Sequence, residues 1–355
     1  MDTGRISRGL AAGTATHLTS MMLSVRTPDE LIAAIPHLLG FQPKESIVFL
    51  PIRSDLPVAR VDVPTTARDR DVVWNSIRDA FSRYAQPGSS VGIVCLTADR
   101  QLADRIAEDF SARLDTIGIG TLVRMWADDR HWSDLDTRLT GILTAEARDR
   151  VAAMTVLGGR PQPAVSRESL ATSLVGDREP IAKLLPEARE ASDASTPRAE
   201  ARWAVGRLHR FHDDGVRLSD IDAARLLVSI DSIPIRDNLW SDISRETVAS
   251  HVALWTDMTR RAPDDVRAAP ASMLGFSGWL SGHGALAWCA LDQVPRDKPY
   301  SLAALVAASV QSGMHPREWE AIKSQTPARG RDQSSDFFVK RQVAEQGPVR
   351  PAHGI

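Results

Sequence analysis

The chain is poor in cysteine and in aromatic residues, and both shortages narrow the kinds of protein it can be. Its 355 residues include two cysteines, Cys95 and Cys289, so the sequence offers neither a disulfide framework nor a Cys-x-x-Cys pair. Cys95 falls inside an apolar run and is predicted to be a core residue. Aromatic residues make up 5% of the chain, with nine Trp and two Tyr, and buried packing explains that skew as well as a binding role does.

The chain also lacks a surplus of positive charge and a long apolar run. It has 43 Lys and Arg residues against 45 Asp and Glu residues, which gives a formal net charge of −2. Proteins that bind nucleic acid usually carry a basic surplus, so nucleic acid is a disfavoured partner. No run of eighteen apolar residues predicts a membrane helix, and residues 1–20 lack the apolar segment of a signal peptide. We therefore expect a cytoplasmic protein that does not act on membranes.

Common catalytic signatures are missing as well. The sequence contains no nucleophile elbow, Walker loop or dinucleotide fingerprint. The segment Gly282-His283-Gly284 follows a helical pattern rather than a strand, so it predicts a tight turn between helices and not a phosphate loop. The sequence identifies no cofactor, and it leaves open whether the chain is an enzyme.

The first half of the chain shows alternating strand and helix patterns. They are a helix from Thr27, a hairpin of strands at 46–52 and 58–63, a helix near 69–85, a strand at 91–96, a helix near 99–115 and a strand at 121–126. Strand, helix, strand, helix, strand is the order typical of parallel pairing with right-handed crossovers. We predict an α/β fold, with a mixed sheet built from an N-terminal hairpin and parallel βαβ units, followed by a mainly α-helical second domain.

The length of the chain predicts two domains. We expect an α/β domain over residues 22–160 and a helical domain over 161–325. Within the helical domain, the polar stretch near 186–200 is predicted to be an exposed linker. Residues 1–21 and 326–355 lack apolar periodicity, so they are predicted to be a disordered extension and a disordered tail.

Several stretches together resemble a known family. They are Leu31–Val48 (LIAAIPHLLGFQPKESIV), Arg60–Pro64 (RVDVP), Arg236-Asp237, Gly282–Ala287 (GHGALA), Pro299–Ala303 (PYSLA) and Gly313–Pro316 (GMHP). The resemblance is to the uncharacterised actinobacterial "domain of unknown function" family 4192. It implies the same fold and an actinobacterial or phage origin, and it implies no activity, substrate or cofactor. Many of its members carry a cysteine cluster shortly after the Trp matched by Trp132. That cluster is absent here, so no metal or redox role carries over.

Polar residues after the strands are the candidate ligand-binding residues, because ligands of open α/β sheets bind outside the carboxyl ends of parallel strands. The strongest candidates are Arg60, Asp62, Asp99, Asp128, Arg130 and Trp132, with Thr65, Thr97, Arg100, Asp129 and His131 beside them. Carboxylates there can bind Mg²⁺ or act as a general base, and Arg130 can bind an anion. Structural roles explain the same residues: Asp99 as a helix cap, Asp128–Arg130 as a solvated loop, and Arg60 with Asp62 as an ion pair on a hairpin.

His209 and His212 are weak candidates for a metal site. They lie three residues apart on a predicted helix and are followed by Asp213-Asp214, so two imidazoles and a carboxylate can share one face. The pattern lacks the His-Glu-x-x-His spacing of zinc proteases, and the polar end of an amphipathic helix explains it equally well. The sequence by itself therefore assigns no metal.

Two hypotheses for function follow. The first is a non-catalytic interaction or regulatory protein whose helical half contacts a protein partner. The second is an enzyme that acts on a small or phosphorylated substrate at the carboxyl edge of the sheet, with or without Mg²⁺. Asp62, Asp99, Asp128 and Arg130 would be its working residues. Self-association stays open under both hypotheses, because exposed helices and a sheet edge can each support it.

Overall fold

The computed structural model describes residues 16–18, 23–52, 54–157, 162–297 and 299–319. They form two compact units, with the division between Ser166 and Arg167. The predicted disordered tail lies outside the described residues. So does most of the predicted N-terminal extension, although its residues Thr16–Leu18 form a short strand that pairs with Leu23–Val25. None of the helices in these ranges combines the length and the apolar character needed to cross a membrane.

The first unit contains eight strands and four helices among its described residues. The strands are β1 (Thr16–Leu18), β2 (Leu23–Val25), β3 (Ser46–Pro51), β4 (Ala59–Asp62), β5 (Ser90–Leu96), β6 (Gly120–Ala127), β7 (His131–Asp134) and β8 (Thr140–Ile142). The helices are α1 (Pro28–Leu39), α2 (Ala67–Tyr84), α3 (Arg100–Asp115) and α4 (Ala145–Leu157). Strands β3 to β8 form one mixed sheet in the order β4-β3-β5-β6-β7-β8.

Side chains that cap the first turns explain where three of these helices begin. Thr27 accepts a hydrogen bond from the backbone of Glu30 at the start of α1, and Thr66 forms a reciprocal capping box with Asp69 at the start of α2. Asp99 caps α3. Each cap satisfies a backbone N–H that has no partner within the helix.

The arrangement of β3, β4 and β5 refines the predicted βαβ units. Strands β5 and β6 pair in parallel, but β3 lies between β4 and β5 and pairs antiparallel with both. The unit β4–α2–β5 is therefore split by β3. The physical reason is that β3 is apolar on both faces and fully buried, so it needs a covering layer on each face and a paired strand on each edge.

Helices cover both faces of the sheet. Alternate residues of β3 face opposite layers: Val48 and Leu50 pack with α1 and α4, whereas Ile47 and Phe49 pack with α2 and α3. The ring of Phe49 makes edge-on contacts with Phe81 of α2 and Phe110 of α3. Cys95 is buried in the same layer, as the sequence predicted. The first unit is thus a three-layer α/β/α sandwich.

The second unit is helical throughout its regular elements. These are α5 (Arg167–Ser173), α6 (Glu179–Asp193), α7 (Pro197–Asp214), α8 (Asp220–Ser229), α9 (Ile233–Asp242), α10 (Val248–Arg261), α11 (Ala268–Leu280), α12 (Gly284–Leu291) and α13 (Ser301–Gln311). The predicted fold class, a mixed-sheet α/β part followed by a helical part, is confirmed.

The stretch near 186–200, predicted to be an exposed linker, is largely exposed but mostly helical. Helix α6 continues to Asp193, and α7 begins at Pro197 after the Thr196 cap. Ala188 is buried within this stretch, and so is Glu200. Polarity indicates exposure here but not a linker, because most charged residues of the stretch occupy the outer faces of two helices.

Two buried charged groups in the second unit, Glu200 and Arg236, have partners from other helices. Glu200 of α7 accepts hydrogen bonds from Arg225 and from the Ser229 hydroxyl of α8. Arg236 of α9, only 2% exposed, donates to Asp237 and to the hydroxyl of Tyr300 at the start of α13. A buried charge is tolerated only when it is paired and hydrogen-bonded.

We expect Glu200→Ala to lower the free energy of unfolding by about 3 kcal/mol, because removing one member of a buried pair leaves the other uncompensated. Burial raises the pKa of Glu200, but hydrogen bonds from Arg225 and Ser229 lower it further, and the net pKa lies below 4.5. The stabilisation is therefore present above pH 4.5 and is lost as the pH falls through the folded-state pKa. Urea unfolding followed by circular dichroism at several pH values measures both effects.

The matched control is Glu187→Ala, at an exposed position of α6, which should cost less than about 0.5 kcal/mol. Equal losses in the two variants, or a Glu200→Ala penalty that does not shrink in acid, would contradict the role assigned to this pair.

Candidate functional site

A cleft opens at one edge of the sheet in the first unit. Because Ser46 pairs with both Asp62 and Leu96, the amino end of β3 and the carboxyl ends of β4 and β5 lie at the same edge. Ala127, at the carboxyl end of β6, pairs with Leu96. The cleft has a volume of about 470 Å³. Its polar and charged lining comes from α1, the loop before β3, the ends of β5 and β6, and α4: Asp29, His37, Gln42, Lys44, Glu45, Thr97, Asp128, Asp129, Thr144, Arg148 and Asp149.

Glu45 is held at the lip of this cleft in an unusual backbone conformation. Its φ is +40°, in the left-handed region that non-glycine residues rarely adopt, at a cost of order 1–3 kcal/mol. Its carbonyl accepts a hydrogen bond from the Val63 N–H. Its carboxylate accepts one from the Thr97 hydroxyl at 2.6 Å and one from the Ala98 N–H at 3.2 Å. Glu45 therefore joins the ends of β4 and β5 and fixes a carboxylate at the lip.

Asp29 links the two helices that flank the cleft. Its carboxylate accepts hydrogen bonds from the hydroxyls of Thr27 at 2.5 Å and of Thr144 at 2.6 Å. Burial raises the pKa of Asp29, but these hydrogen bonds lower it further, so the net shift is downward. Thr144 also accepts from the Ala147 N–H in the first turn of α4. Asp29 is thus an ionised group that ties the start of α1 to the start of α4.

His37 lines the cleft as a neutral imidazole. Its Nδ1 lies 3.0 Å from the hydroxyl oxygen of Thr155, and that hydroxyl donates to the backbone carbonyls of Val151 and Ala152. Thr155 has a single proton to give, so when that proton goes to one of these carbonyls, Nδ1 of His37 is the donor and Nε2 carries the lone pair. Burial lowers the pKa of His37. A neutral imidazole with a fixed tautomer is the form in which histidine accepts a proton.

Four charged side chains of the lining have no partner. Lys44, Asp129, Arg148 and Asp149 make no side-chain hydrogen bond or ion pair within the described part of the chain. Two of them are positive and two are negative. The cleft can therefore recognise groups of either charge, since all four can form charge-assisted hydrogen bonds with a ligand.

The structure gives local partners to three of the candidate residues. Arg60 donates to the hydroxyl of Ser46 and pairs with Asp62 at 2.6 Å on the face of the hairpin. Asp99 accepts a hydrogen bond from the Leu102 N–H as the cap of α3. None of these three residues lines the cleft. The proposal that they share a ligand site with Asp128 gains no support from the cleft.

The other three candidates follow β6. Asp128 lines the cleft, and its carboxylate accepts hydrogen bonds from the backbone N–H groups of Arg130 and His131. These bonds outweigh the effect of burial, so the pKa of Asp128 is lowered. Arg130 is exposed. Trp132 is 8% exposed and belongs to the hydrophobic core, where its ring packs against Gly141 of β8.

Several lining residues escaped the sequence-based reasoning. Asp29, His37, Lys44, Glu45 and Arg148 lie on helices or before β3, whereas the strand-end rule selects only residues after parallel strands. The antiparallel strand β3 brings its amino end to the same edge, which the rule does not consider. A usable signal was present, since Leu31–Val48, the longest stretch of the family resemblance, contains three of the missed residues.

His209 and His212, the weak metal candidates, lie in the second unit. The nearby carboxylate is that of Asp242 in α9, not Asp213-Asp214: His212 Nε2 lies 3.1 Å from Asp242 Oδ2 and His209 Nε2 lies 3.6 Å from Asp242 Oδ1. A third imidazole, His251 of α10, lies 3.0 Å from Asp242 Oδ2. Its hydrogen bond, with that of His212, lowers the pKa of Asp242 to about 2 despite burial.

Comparison with known protein families identifies the family to which this architecture belongs. Residues 28–317 match the family described as "Domain of unknown function (DUF4192)", and the chain belongs to that family. The match extends over most of both units, so their combination is a property of the family. No curated protein and no solved structure matches the chain.

The packing of Trp132 on Gly141 leads to a stability prediction. A Cβ atom added at Gly141 would lie 2.6 Å from the Trp132 ring, so we expect Gly141→Ala to displace the ring. The free energy of unfolding should fall by about 1–3 kcal/mol, as for other overpacked sites. Denaturant unfolding measures the loss, and tryptophan fluorescence reports the displaced ring.

Gly120→Ala is the control, because a Cβ atom there meets nothing closer than 3.8 Å. If both glycine variants lose the same stability, the contact with Trp132 is not the cause.

Proposed function

We propose that the α/β unit binds a small molecule that carries charges of both signs in the cleft at the sheet edge. The observation that carries the proposal is Glu45, whose strained backbone holds a carboxylate at the lip of the cleft. Strain of this kind persists where the surrounding structure fixes it, and such residues cluster at ligand sites. The cleft volume of about 470 Å³ falls within the range of small-molecule sites, about 300–1,000 Å³.

The lining indicates the chemistry of the ligand. Lys44 and Arg148 suit a carboxylate or a phosphate, and Asp129 and Asp149 suit an amine. Glu45 and Asp128 use their carboxylates in structural hydrogen bonds, so the four partnerless groups are the ones available for recognition. A small zwitterion, such as an amino acid or a phosphorylated amine, satisfies both pairs.

Binding without turnover fits the absence of known catalytic motifs. The protein would then be a cytoplasmic regulatory protein that responds to its ligand, as the first sequence-based hypothesis holds. One observation favours the second hypothesis, an enzyme. His37 lines the cleft, and burial lowers the pKa of its imidazole. With Nδ1 donating to Thr155, Nε2 would be free to accept a proton, as a general base does.

Thermal unfolding of the full chain with a panel of ligands tests the binding proposal. The panel contains the twenty amino acids, O-phosphoserine, phosphoethanolamine and ATP, each with and without Mg²⁺. We expect at least one zwitterion to raise the Tm, because a ligand at 100 times its Kd stabilises a protein by about 2.7 kcal/mol. Arg148→Gln should weaken that ligand about 10- to 100-fold, since a hydrogen bond to a charged group contributes about 1.5–3 kcal/mol.

The control is Arg105→Gln, at an exposed position on α3, which covers the opposite face of the sheet. It should leave the affinity unchanged. A panel in which nothing shifts the Tm, or a ligand whose affinity is the same in Arg148→Gln, would refute the proposal.

The variant His37→Asn separates binding from catalysis. Its amide can still donate to Thr155 in place of Nδ1, but it has no counterpart of Nε2. If the protein is an enzyme, turnover of the bound ligand, followed by NMR, should fall about 10²- to 10⁴-fold while the Kd changes little. Equal turnover in the variant would remove His37 as the base, and no turnover by the wild-type chain would leave the regulatory function.

A further inference from the structure

Three imidazoles surround one carboxylate in the helical unit. His209 and His212 lie one turn apart on α7, Asp242 is the last residue of α9, and His251 lies in the first turn of α10. The exposed fractions of the three histidine side chains are 57%, 15% and 0%. The cluster therefore runs from the surface into the core, and three helices contribute to it.

The hydrogen bonds of His251 show which role it can take. The Trp255 indole N–H donates to Nδ1 of His251 at 3.0 Å, so Nδ1 carries the lone pair and Nε2 carries the proton. That Nε2–H donates to Asp242 Oδ2 at 3.0 Å. A neutral imidazole has one lone pair, so His251 has none left for a metal ion. It orients the carboxylate, as residues behind metal ligands commonly do.

His209 and Asp242 approach each other without a hydrogen bond. The distance of 3.6 Å between His209 Nε2 and Asp242 Oδ1 is too long for one. Within the described residues, Asp242 Oδ1 accepts no hydrogen bond at all. Hydrogen bonds within the cluster thus explain the position of Asp242 Oδ2. They do not explain why Asp242 Oδ1 and His209 lie close together.

The distances from each imidazole to the carboxylate are close to those between two ligands of one ion. Donor atoms about 2.0–2.2 Å from a tetrahedral Zn²⁺ lie about 3.3–3.6 Å from each other. His209 Nε2 lies 3.6 Å from Asp242 Oδ1, at the upper end of that range, and His212 Nε2 lies 3.1 Å from Oδ2, just below it, so the two imidazoles face different oxygens of one carboxylate. The donor atoms that already lie within 4.8 Å of one another are those of His212, Asp242 and His251, so the exposed His209 side chain has to turn toward His212 for both imidazoles to reach one ion. The Ser250 hydroxyl lies 2.6 Å from Nδ1 of His212. Without a metal ion, Nε2–H of His212 donates to Asp242 Oδ2; with Nε2 bound to an ion, Nδ1–H can donate to the Ser250 hydroxyl instead.

We propose that the helical unit binds a divalent transition-metal ion of the Zn²⁺ class through His209 Nε2, His212 Nε2 and the carboxylate of Asp242. His251, fixed by Trp255, is the residue that positions the carboxylate. The exposed side of His209 leaves the remaining coordination position open to water or a ligand, as in Zn²⁺ sites with three protein ligands. The ion joins α7 to α9, and this site is independent of the cleft in the first unit.

Isothermal titration of Zn²⁺ into the tag-free full chain tests the proposal. We expect one ion per chain. His209→Ala and Asp242→Asn should each weaken binding by more than about 100-fold, since even residues behind the ligands commonly contribute 10- to 100-fold. The control Asp213→Asn makes the same substitution at an exposed carboxylate next to His212 and should leave the affinity within about twofold. His209 is exposed, so its variant should keep its fold even if others lose theirs.

Absorption spectra with Co²⁺ as the probe test the ligand set. His251→Gln should lower the affinity about 10- to 100-fold and leave the shape of the visible bands unchanged, because His251 does not touch the ion. His209→Ala should change the bands. A changed spectrum in His251→Gln with an unchanged one in His209→Ala would overturn this ligand set. Absence of Zn²⁺ binding, or equal binding by the wild type, His209→Ala and Asp242→Asn, would overturn the site itself.

Discussion

The burial of strand β3 is the constraint on which the first unit depends. It is apolar on both faces and paired along both edges, with Ser46 opposite Asp62 on one side and opposite Leu96 on the other. A shift of β3 by one residue would exchange its two faces and move Phe49 away from its ring contacts with Phe81 and Phe110. This register delivers the preceding residue, Glu45, to the edge where β4 and β5 end, and the cleft exists because of it.

Some charged groups of the cleft hold its elements in place, and others are available to bind a ligand. Asp29, Glu45 and Asp128 are ionised or hydrogen-bonded groups that fix α1, the ends of β4 and β5, and the turn after β6. The four charged side chains without a partner among the described residues, Lys44, Asp129, Arg148 and Asp149, belong to elements that these hydrogen bonds hold in place. A site held in this way needs little rearrangement when a ligand binds, and a ligand that finds its partners already in place loses less free energy to ordering.

The helical unit follows a different rule, in which buried charges are paired across helices. Glu200 with Arg225, and Arg236 with Asp237 and Tyr300, satisfy groups that would otherwise be costly to bury. Two stretches of the family resemblance, Arg236-Asp237 and the one containing Tyr300, meet in one such network. Asp242 departs from this pattern, because its Oδ1 lies near the His209 imidazole and accepts no hydrogen bond from the described residues.

The sequence by itself determined the local elements and the fold class. Apolar periodicity, helix caps at residues such as Thr27, and the run from Ser46 depend on near neighbours in the chain, so they can be read from it directly. The resemblance carried by Leu31–Val48 likewise led to the right family. The same reasoning did not find the helices at 186–200, where a polar stretch was taken for a linker. It also missed the burial of Glu200, because its partner Arg225 lies 25 residues away in the chain.

Only the tertiary structure decided which polar residues meet. It placed the amino end of β3 at the carboxyl edge of its neighbours, brought Glu45 to Thr97, and set Asp242 rather than Asp213 beside His212. Each of these encounters joins residues far apart in the chain. They depend on strand order and helix packing, which arise from the burial of whole apolar faces and leave no local pattern at the polar residues themselves.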